Sequence, residues 1–213
     1  MTPPASGPPA NADPDARLDA HLDARLDALC DEGRAIYERF DRDVREAGFH
    51  PFVAADYAQV RAALLRLRAP GLRFLEWGSA TGVVTIMADL MGIDACGIEL
   101  DASLVATARA LAARHGSGAR FVAASFLPAG YRWRRRDGDS RTGTIGEGPS
   151  GYLQLGRALD EFDVVFGYPW SGEAALMQDL MRRYGRPDAL LLLHDASDGV
   201  RAFRGGRGAG APA

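Results

Sequence analysis

The segment from Phe74 to Gly82 contains the residues whose type and spacing best support a chemical role. It reads Phe-Leu-Glu-Trp-Gly-Ser-Ala-Thr-Gly, with the acid Glu76 at the end of a short apolar run and glycines at 78 and 82. Where a strand of a parallel sheet ends, glycines allow the backbone to approach a ligand closely. A carboxylate beside such a turn attracts a cationic ligand and repels a phosphate.

Two kinds of ligand use a turn of this sort. A dinucleotide requires Gly-x-Gly-x-x-Gly, so that its pyrophosphate lies at the N-terminus of the next helix. Starting from Gly78, that pattern demands glycine at the positions of Ala80 and Val83, and both differ. The spacing Glu-x-Gly-x-x-x-Gly fits Glu76, Gly78 and Gly82. The turn therefore favours a ligand with positive charge over a diphosphate.

A second acid, Glu99, ends the next predicted strand, 23 residues after Glu76. A carboxylate at this position can accept hydrogen bonds from both hydroxyls of a ribose. Dinucleotide-binding proteins share this acid, so Glu99 indicates a nucleoside without separating the two ligand classes.

Together, Glu76, Gly78, Gly82 and Glu99 resemble the first two motifs of class I S-adenosylmethionine (SAM)-dependent methyltransferases. In that family a glycine often stands where this chain has Ala80. The resemblance implies a Rossmann-like fold, SAM as the cofactor and methyl transfer as the activity. It assigns the methionyl part of SAM to the turn and the ribose to Glu99. The cofactor-binding residues that it implies are Glu76, Gly78, Ser79, Ala80, Gly82, Glu99, Leu100, Ser125, Phe126 and Gly167.

The third and fourth predicted strands match the family more loosely. Ser125 stands where the family often has an adenine-binding Asp, and it is either a cofactor contact or an ordinary turn residue. At the fourth strand end, Gly167 replaces the usual acceptor side chain of amino-group methyltransferases. Tyr168 and Trp170 are predicted to border the methyl acceptor as catalytic-site residues; the alternative is that they only cover the sheet edge.

Strands and helices alternate from residue 72 onwards, and this order predicts a parallel sheet with helices on both faces. Five strands are expected, near 72–77, 95–100, 120–124, 162–166 and 189–194. The family usually adds an antiparallel hairpin after the fifth strand. Only 18 residues, 196–213, remain here, so the hairpin is expected to be missing or shortened, with one short strand near 200–203.

Flanking segments divide the chain into four parts. Residues 1–15, rich in Pro, Ala, Gly and Asp, are expected to be disordered. Residues 16–70 carry leucines at helical spacing and are expected to form a helical extension, with Gly33 interrupting or bending its first helix. Residues 71–204 form the SAM-binding domain, and residues 205–213 a flexible tail.

Composition limits the classes of partner. The 213 residues carry a net charge of −3, which gives nucleic acid no support as a partner. No apolar run is long enough for a bilayer span, and no basic start precedes an apolar run, so a cytoplasmic protein without a membrane partner is expected. Cys30 and Cys96 are interpreted as buried apolar residues, and no metal site is predicted.

Several interpretations remain open on the sequence alone. A small-molecule or protein side-chain acceptor is favoured, and two copies could associate through the N-terminal helices. The alternative to an enzyme is a methyltransferase-like module that binds SAM or a partner without catalysis. His194, at the end of the fifth strand, is interpreted as a satisfied structural histidine, Glu173 as a helix N-terminal acid and Asp101 as a helix cap.

Overall fold

The computed structural model describes residues 14–45, 53–133, 148–170 and 172–208. Most of the residues predicted to be disordered, 1–13, and the end of the predicted tail, 209–213, lie outside this part of the chain. The helices are α1 (Pro14–Arg45), α2 (Tyr57–Leu67), α3 (Val83–Leu90), α4 (Ala102–Arg114), α5 (Gly151–Leu155) and α6 (Glu173–Tyr184). The strands are β1 (Arg73–Trp77), β2 (Asp94–Glu99), β3 (Arg120–Ala123), β4 (Val164–Gly167), β5 (Leu190–Asp195), β6 (Gly199–Arg204) and β7 (Arg207–Gly208).

The described strands form one sheet in the order β3-β2-β1-β4-β5-β6-β7. The first five are parallel, with β1 paired to both β2 and β4. The order reverses at β1, and such a reversal opens a crevice at the carboxyl ends of the strands. The predicted α/β fold, with parallel strands and helices on both faces, is confirmed.

The C-terminal hairpin is present in a shortened form. Strand β6 pairs antiparallel with β5 over six residues, from Leu190↔Arg204 to Asp195↔Gly199. Its partner β7 has only two residues, Arg207 and Gly208. Residues 205–208, which the sequence places in a flexible tail, therefore form the turn and the last strand of the sheet.

Each face of the sheet has its own apolar core. Phe74, Glu76 and their neighbours in the sheet lie under α1–α4, because alternate residues of a strand point to opposite faces. Leu75 and Trp77 lie on the other face, under α5 and α6. Both cysteines are free and buried, as expected. In the described residues, no helix is both long and apolar enough to cross a bilayer.

The N-terminal extension packs directly on the domain. Leu26 and Leu29 of α1 and Val60 of α2 are fully buried in the same core as α3. At the surface, Glu32 of α1 adds an ion pair with Arg114 and a hydrogen bond with His115 to this contact. Within the extension, Arg61 of α2 pairs with Asp23 and Asp27 of α1.

The expectation that Gly33 interrupts α1 is wrong, because the helix runs through it without a break. A Cβ at residue 33 would lie 2.5 Å from Cγ2 of Val83, the first residue of α3. Glycine is therefore needed here for close approach between two helices, and packing offsets its low helix propensity.

Candidate functional site

The turn from Gly78 to Gly82 has the strained backbone that its glycines predict. Gly78 and Gly82 have φ angles of +69° and +78°, and Ala80 has +44°, in the left-handed region that residues with a Cβ avoid. The N–H groups of Gly78 and Ser79 both donate to the carbonyl of Ile98 in β2, at 2.9 and 3.1 Å. The turn is thereby held against the end of β2. Strain of this kind is typical of functional sites.

Close packing beneath the turn requires two glycines. A Cβ on Gly82 would lie 2.6 Å from the Phe121 ring, and one on Gly97 would lie 2.6 Å from Oγ of Ser79. Ser79 is buried, and its Oγ has no hydrogen-bond partner among the described residues. Gly97 did not stand out in the sequence, because its role depends on a contact across two strands.

Glu76 lies under the turn and caps helix α3. Its Oε2 accepts hydrogen bonds from the backbone N–H and the hydroxyl of Thr85, at 2.9 and 2.5 Å. Both bonds use Oε2, so Oε1 is engaged by neither donor. Gly82, the N-cap residue, has no side chain to do this work. The N-terminus of α3, where a dinucleotide would place its pyrophosphate, already faces a carboxylate of the protein.

Burial raises the pKa of Glu76 to about 8, although the two hydrogen bonds from Thr85 lower it. The carboxylate of Glu99 adds to the increase. Among the described residues, no basic side chain contributes to the pKa of Glu76. A buried acid without a cationic partner is costly when ionised, and a positively charged ligand would remove that cost.

Glu99 lies at the other side of the turn. Its Oε2 accepts from the N–H of Ala80 at 2.9 Å, and its Oε1 accepts from the N–H of Asp101 at 3.0 Å. Burial raises the pKa of Glu99, and these backbone bonds oppose that effect. Each carboxylate oxygen has a second lone pair, so Glu99 can still accept hydrogen bonds from two ligand hydroxyls. Half-buried Leu100 follows it, and Asp101 caps α4 as predicted.

The sheet register places four residues in one row on the face covered by α1–α3. Glu76 is paired with Gly97 and Phe166, and Phe166 with Leu192. Side chains alternate along strands, so the residues two positions later share the same face. This row contains Glu99, Gly78, Tyr168 and His194. The contact between the Tyr168 and His194 rings, with centroids 4.5 Å apart, agrees with that order.

The predicted acceptor residues Tyr168 and Trp170 follow β4 and are half-buried. Burial raises the pKa of Tyr168, as do the nearby Asp195 and Tyr37. The backbone N–H of Trp170 donates to Glu173 at 2.9 Å, so Glu173 acts as a helix N-terminal acid, as the sequence indicates. Tyr37, from α1, is a neighbour of this region that sequence reasoning did not identify.

Gly167 has a packing reason to be glycine. It is buried at the end of β4, and a Cβ there would lie 2.8 Å from the sulfur of Met177 in α6. A larger side chain at this position would need Met177 to move.

Phe126 and Ser125, two of the predicted cofactor-binding residues, are both buried. The Phe126 ring is 2% exposed and stacks on Trp77, with centroids 5.1 Å apart. Trp77 in turn donates to the hydroxyl of Tyr152 at 2.9 Å, on the sheet face away from Glu76. The Phe126 ring is thus part of the core under α5, and its contact with a cofactor stays a prediction.

Ser125 is also buried, and its Oγ accepts a hydrogen bond from Leu127 N–H at 3.2 Å. Its backbone pairs with residues 149 and 151, which return from the long loop after β3. This pairing explains the burial of Ser125, and no local sequence pattern signals it.

None of the protein-family models and none of the curated protein sequences compared with this chain matches it. Solved structures with a similar fold include an RNA methyltransferase from Salinibacter ruber in complex with S-adenosyl-L-homocysteine, with a TM-score of 0.43 and 21% identity over 64% of this chain and 74% of that one. Another is precorrin-6y C5,15-methyltransferase from Geobacter metallireducens, with a TM-score of 0.46 and 17% identity over 70% of both chains.

A third is a SAM-dependent methyltransferase from Thiobacillus denitrificans, also in complex with S-adenosyl-L-homocysteine, with a TM-score of 0.43 and 20% identity over 68% of this chain. This chain spans about half of its length, 49%, and 47% of a protein of echinomycin biosynthesis. At these identities the likeness concerns the fold alone.

Proposed function

We propose that this protein binds SAM at the Gly78–Gly82 turn and transfers its methyl group to a small molecule or a protein side chain. The observation that carries the proposal is the pair of acids on either side of a strained turn, buried Glu76 and half-buried Glu99. The crevice is lined by two acids and, among the described residues, no basic side chain influences Glu76, which occupies the helix end that would hold a phosphate. This arrangement suits a ligand with an ammonium group, a sulfonium and a ribose.

The residues have separate tasks in this proposal. Glu76 and the turn hold the methionyl part, Glu99 holds the ribose hydroxyls, and Tyr168 and Trp170 border the acceptor. SAM supplies an electrophilic methyl group when bound. The contribution of the protein is to hold the acceptor close to that methyl group in a fixed orientation, which removes much of the entropic cost of the reaction.

A second candidate is a module that binds SAM without transferring its methyl group. It is favoured by Gly167, since packing against Met177 leaves no side chain at the position where amino-group methyltransferases hold the acceptor. The two candidates share the cofactor site and differ only in turnover.

Calorimetric titration tests the shared part. SAM and S-adenosyl-L-homocysteine should bind, and NAD should not. Glu99→Ala should weaken SAM binding roughly 10- to 100-fold, because charge-assisted hydrogen bonds to the ribose are lost. Asp160→Ala, which removes an exposed acid beside the start of β4, is the matched control and should leave the affinity unchanged. Binding of NAD alone, or equal affinity of Glu99→Ala and wild type, would contradict the assignment.

Turnover is tested with SAM carrying a tritiated methyl group and a cell extract as the source of acceptors. Label in the acid-soluble fraction indicates a small-molecule acceptor, and label in the precipitate a protein. Glu99→Ala should lower either signal, and Asp160→Ala should not. Tight SAM binding without label in either fraction would favour the non-catalytic candidate.

A further inference from the structure

His194 holds a buried hydrogen-bond donor that the fold does not use. Its side chain is 3% exposed at the end of β5. Nε2 accepts a hydrogen bond from the backbone N–H of Asp56 at 3.3 Å, while Nδ1 has no partner among the described residues. A buried polar group without a partner costs about 1–3 kcal/mol and calls for an explanation. The satisfied histidine expected from the sequence is therefore satisfied at one nitrogen only.

The contact with Asp56 determines which nitrogen carries the proton. A backbone N–H can only donate, so Nε2 must present its lone pair, and the proton of a neutral ring then lies on Nδ1. Burial lowers the pKa of His194, although the carboxylates of Asp56 and Asp195 act in the opposite direction. His194 is thus a neutral donor at Nδ1, and it cannot accept a proton there.

The row of residues described above places this donor on the ligand side of the sheet. His194 lies next to Tyr168 and two strands from Gly78, a separation of roughly 10 Å at the usual strand spacing. Tyr168 borders the proposed acceptor position, and its ring meets the His194 ring at 72°. The donor therefore lies at the acceptor end of the row, and Glu99 lies at the cofactor end.

The charges around His194 restrict what it can bind. Among the described residues, the charged groups that influence the pKa of His194 are Asp56 and Asp195. Backbone hydrogen bonds lower the pKa of both carboxyls, so both are ionised at neutral pH. Two nearby negative charges disfavour a carboxylate or phosphate ligand. A neutral oxygen acceptor, such as a carbonyl, satisfies the donor without that repulsion.

We propose that Nδ1–H of His194 binds a neutral carbonyl or amide oxygen of the methyl acceptor, next to Tyr168. This inference rests on the proposed function, since it takes the Tyr168 end of the row as the acceptor position. It makes His194 a binding residue for the acceptor and predicts a neutral, planar acceptor class.

Nuclear magnetic resonance of the ¹⁵N-histidine-labelled full chain, saturated with S-adenosyl-L-homocysteine, tests the proposal with two isosteric probes and one apolar control. Benzamide should bind and shift the Hδ1 resonance of His194 downfield. Benzoate should bind at least about tenfold more weakly because of Asp56 and Asp195, and toluene should leave Hδ1 unshifted. A proton on Nε2, an Hδ1 already directed at the Tyr168 ring, or equal binding of benzoate and benzamide would overturn the proposal.

Two variants distinguish the hydrogen-bond donor of His194 from its structural contact with Asp56. His194→Gln can turn its Oε1 to the Asp56 N–H, and its amide donors then lie away from the position of Nδ1, so benzamide should bind about tenfold more weakly. His194→Asn retains a donor near the position of Nδ1 and should bind benzamide within about threefold of wild type. Equal binding of benzamide by His194→Gln and wild type would overturn the proposal. If either variant fails to fold, the probe series on the wild-type chain still decides.

SAM affinity separates this inference from the proposed function. His194→Gln should bind SAM within twofold of wild type, because it lies at the other end of the row from Glu99. SAM binding without any response of Hδ1 to benzamide would refute the His194 inference alone. Failure of SAM to bind would refute the proposed function, whatever the response of Hδ1.

Discussion

Replacing Glu76 with glutamine should stabilise the empty protein at neutral pH. Glutamine has nearly the shape of a protonated glutamic acid, and its carbonyl can accept the two hydrogen bonds from Thr85. The wild-type carboxyl has an ordinary pKa of 4.5 in the unfolded chain, and burial raises it to about 8 in the folded protein. Ionisation is therefore disfavoured in the folded state only, and the cost applies wherever the unfolded chain is ionised.

The sign and size of the effect follow from linkage. Because the pKa of Glu76 is raised in the folded state, its contribution to the free energy of unfolding of the wild type is largest below pH 4.5. This contribution decreases until the pH passes about 8. Each pH unit in that window costs up to about 1.4 kcal/mol. At pH 7 the glutamine variant should thus gain on the order of 3 kcal/mol over wild type, relative to their difference at pH 4.

Urea unfolding from pH 4 to 9, followed by tryptophan fluorescence, measures this difference. Taking variant minus wild type at each pH cancels the titration of all other groups. The difference should rise between pH 4.5 and 8 and level off above. A difference that varies by less than about 0.5 kcal/mol throughout would show that Glu76 ionises freely. A cationic ligand would then have no burial cost of Glu76 to remove, and the argument for its binding from that cost would fail.

The same variant should bind SAM more weakly than wild type. The affinity of the wild-type protein for SAM should increase with pH up to about 8. The cationic ligand binds the ionised form of Glu76, and below that pH the Glu76 carboxyl of the free protein is largely protonated. The variant should lack this dependence. Calorimetry in two buffers of different ionisation enthalpy would show the proton released by wild type at pH 7.

Three further substitutions test packing and backbone. Ala80→Gly relieves a left-handed φ, so the free energy of unfolding should rise by up to about 1 kcal/mol in urea titration, and a loss would show that the turn is unstrained. Gly33→Ala should lower the melting temperature through contact with Val83, whereas Gly118→Ala, where a Cβ has room, should not; equal effects would contradict the packing argument. Asp56→Ala should cost about 1 kcal/mol by removing the cap of α2, as thermal unfolding can check, and an unchanged midpoint would exclude that role.

The sequence predicts the sheet and the backbone of the Gly78–Gly82 turn because both depend on local patterns. Apolar runs mark β1 to β5, and Gly78 and Gly82 adopt the conformations that only glycine tolerates easily. Asp101 caps α4 through its neighbours in the chain. Such features rest on residues a few positions apart.

The features that the sequence does not predict depend on distant contacts. Gly33 is predicted to interrupt or bend its helix, because the sequence does not show that Val83 packs against it. The stacking of Phe126 on Trp77, 49 residues away in the sequence, has no local signal either. The hydrogen bond at Nε2 of His194 comes from Asp56, which is 138 residues away in the sequence. Local patterns therefore do not show that only one ring nitrogen has a partner.

The way in which α1 is attached has a kinetic consequence. Its apolar stripe meets the start of α3 beside the Gly78–Gly82 turn, while ion pairs with Arg61 and Arg114 hold its outer side. Dissolved salt screens exposed ion pairs but leaves apolar contacts intact. Raising the ionic strength should therefore speed local opening of the outer side of α1, while the melting temperature of the domain changes little.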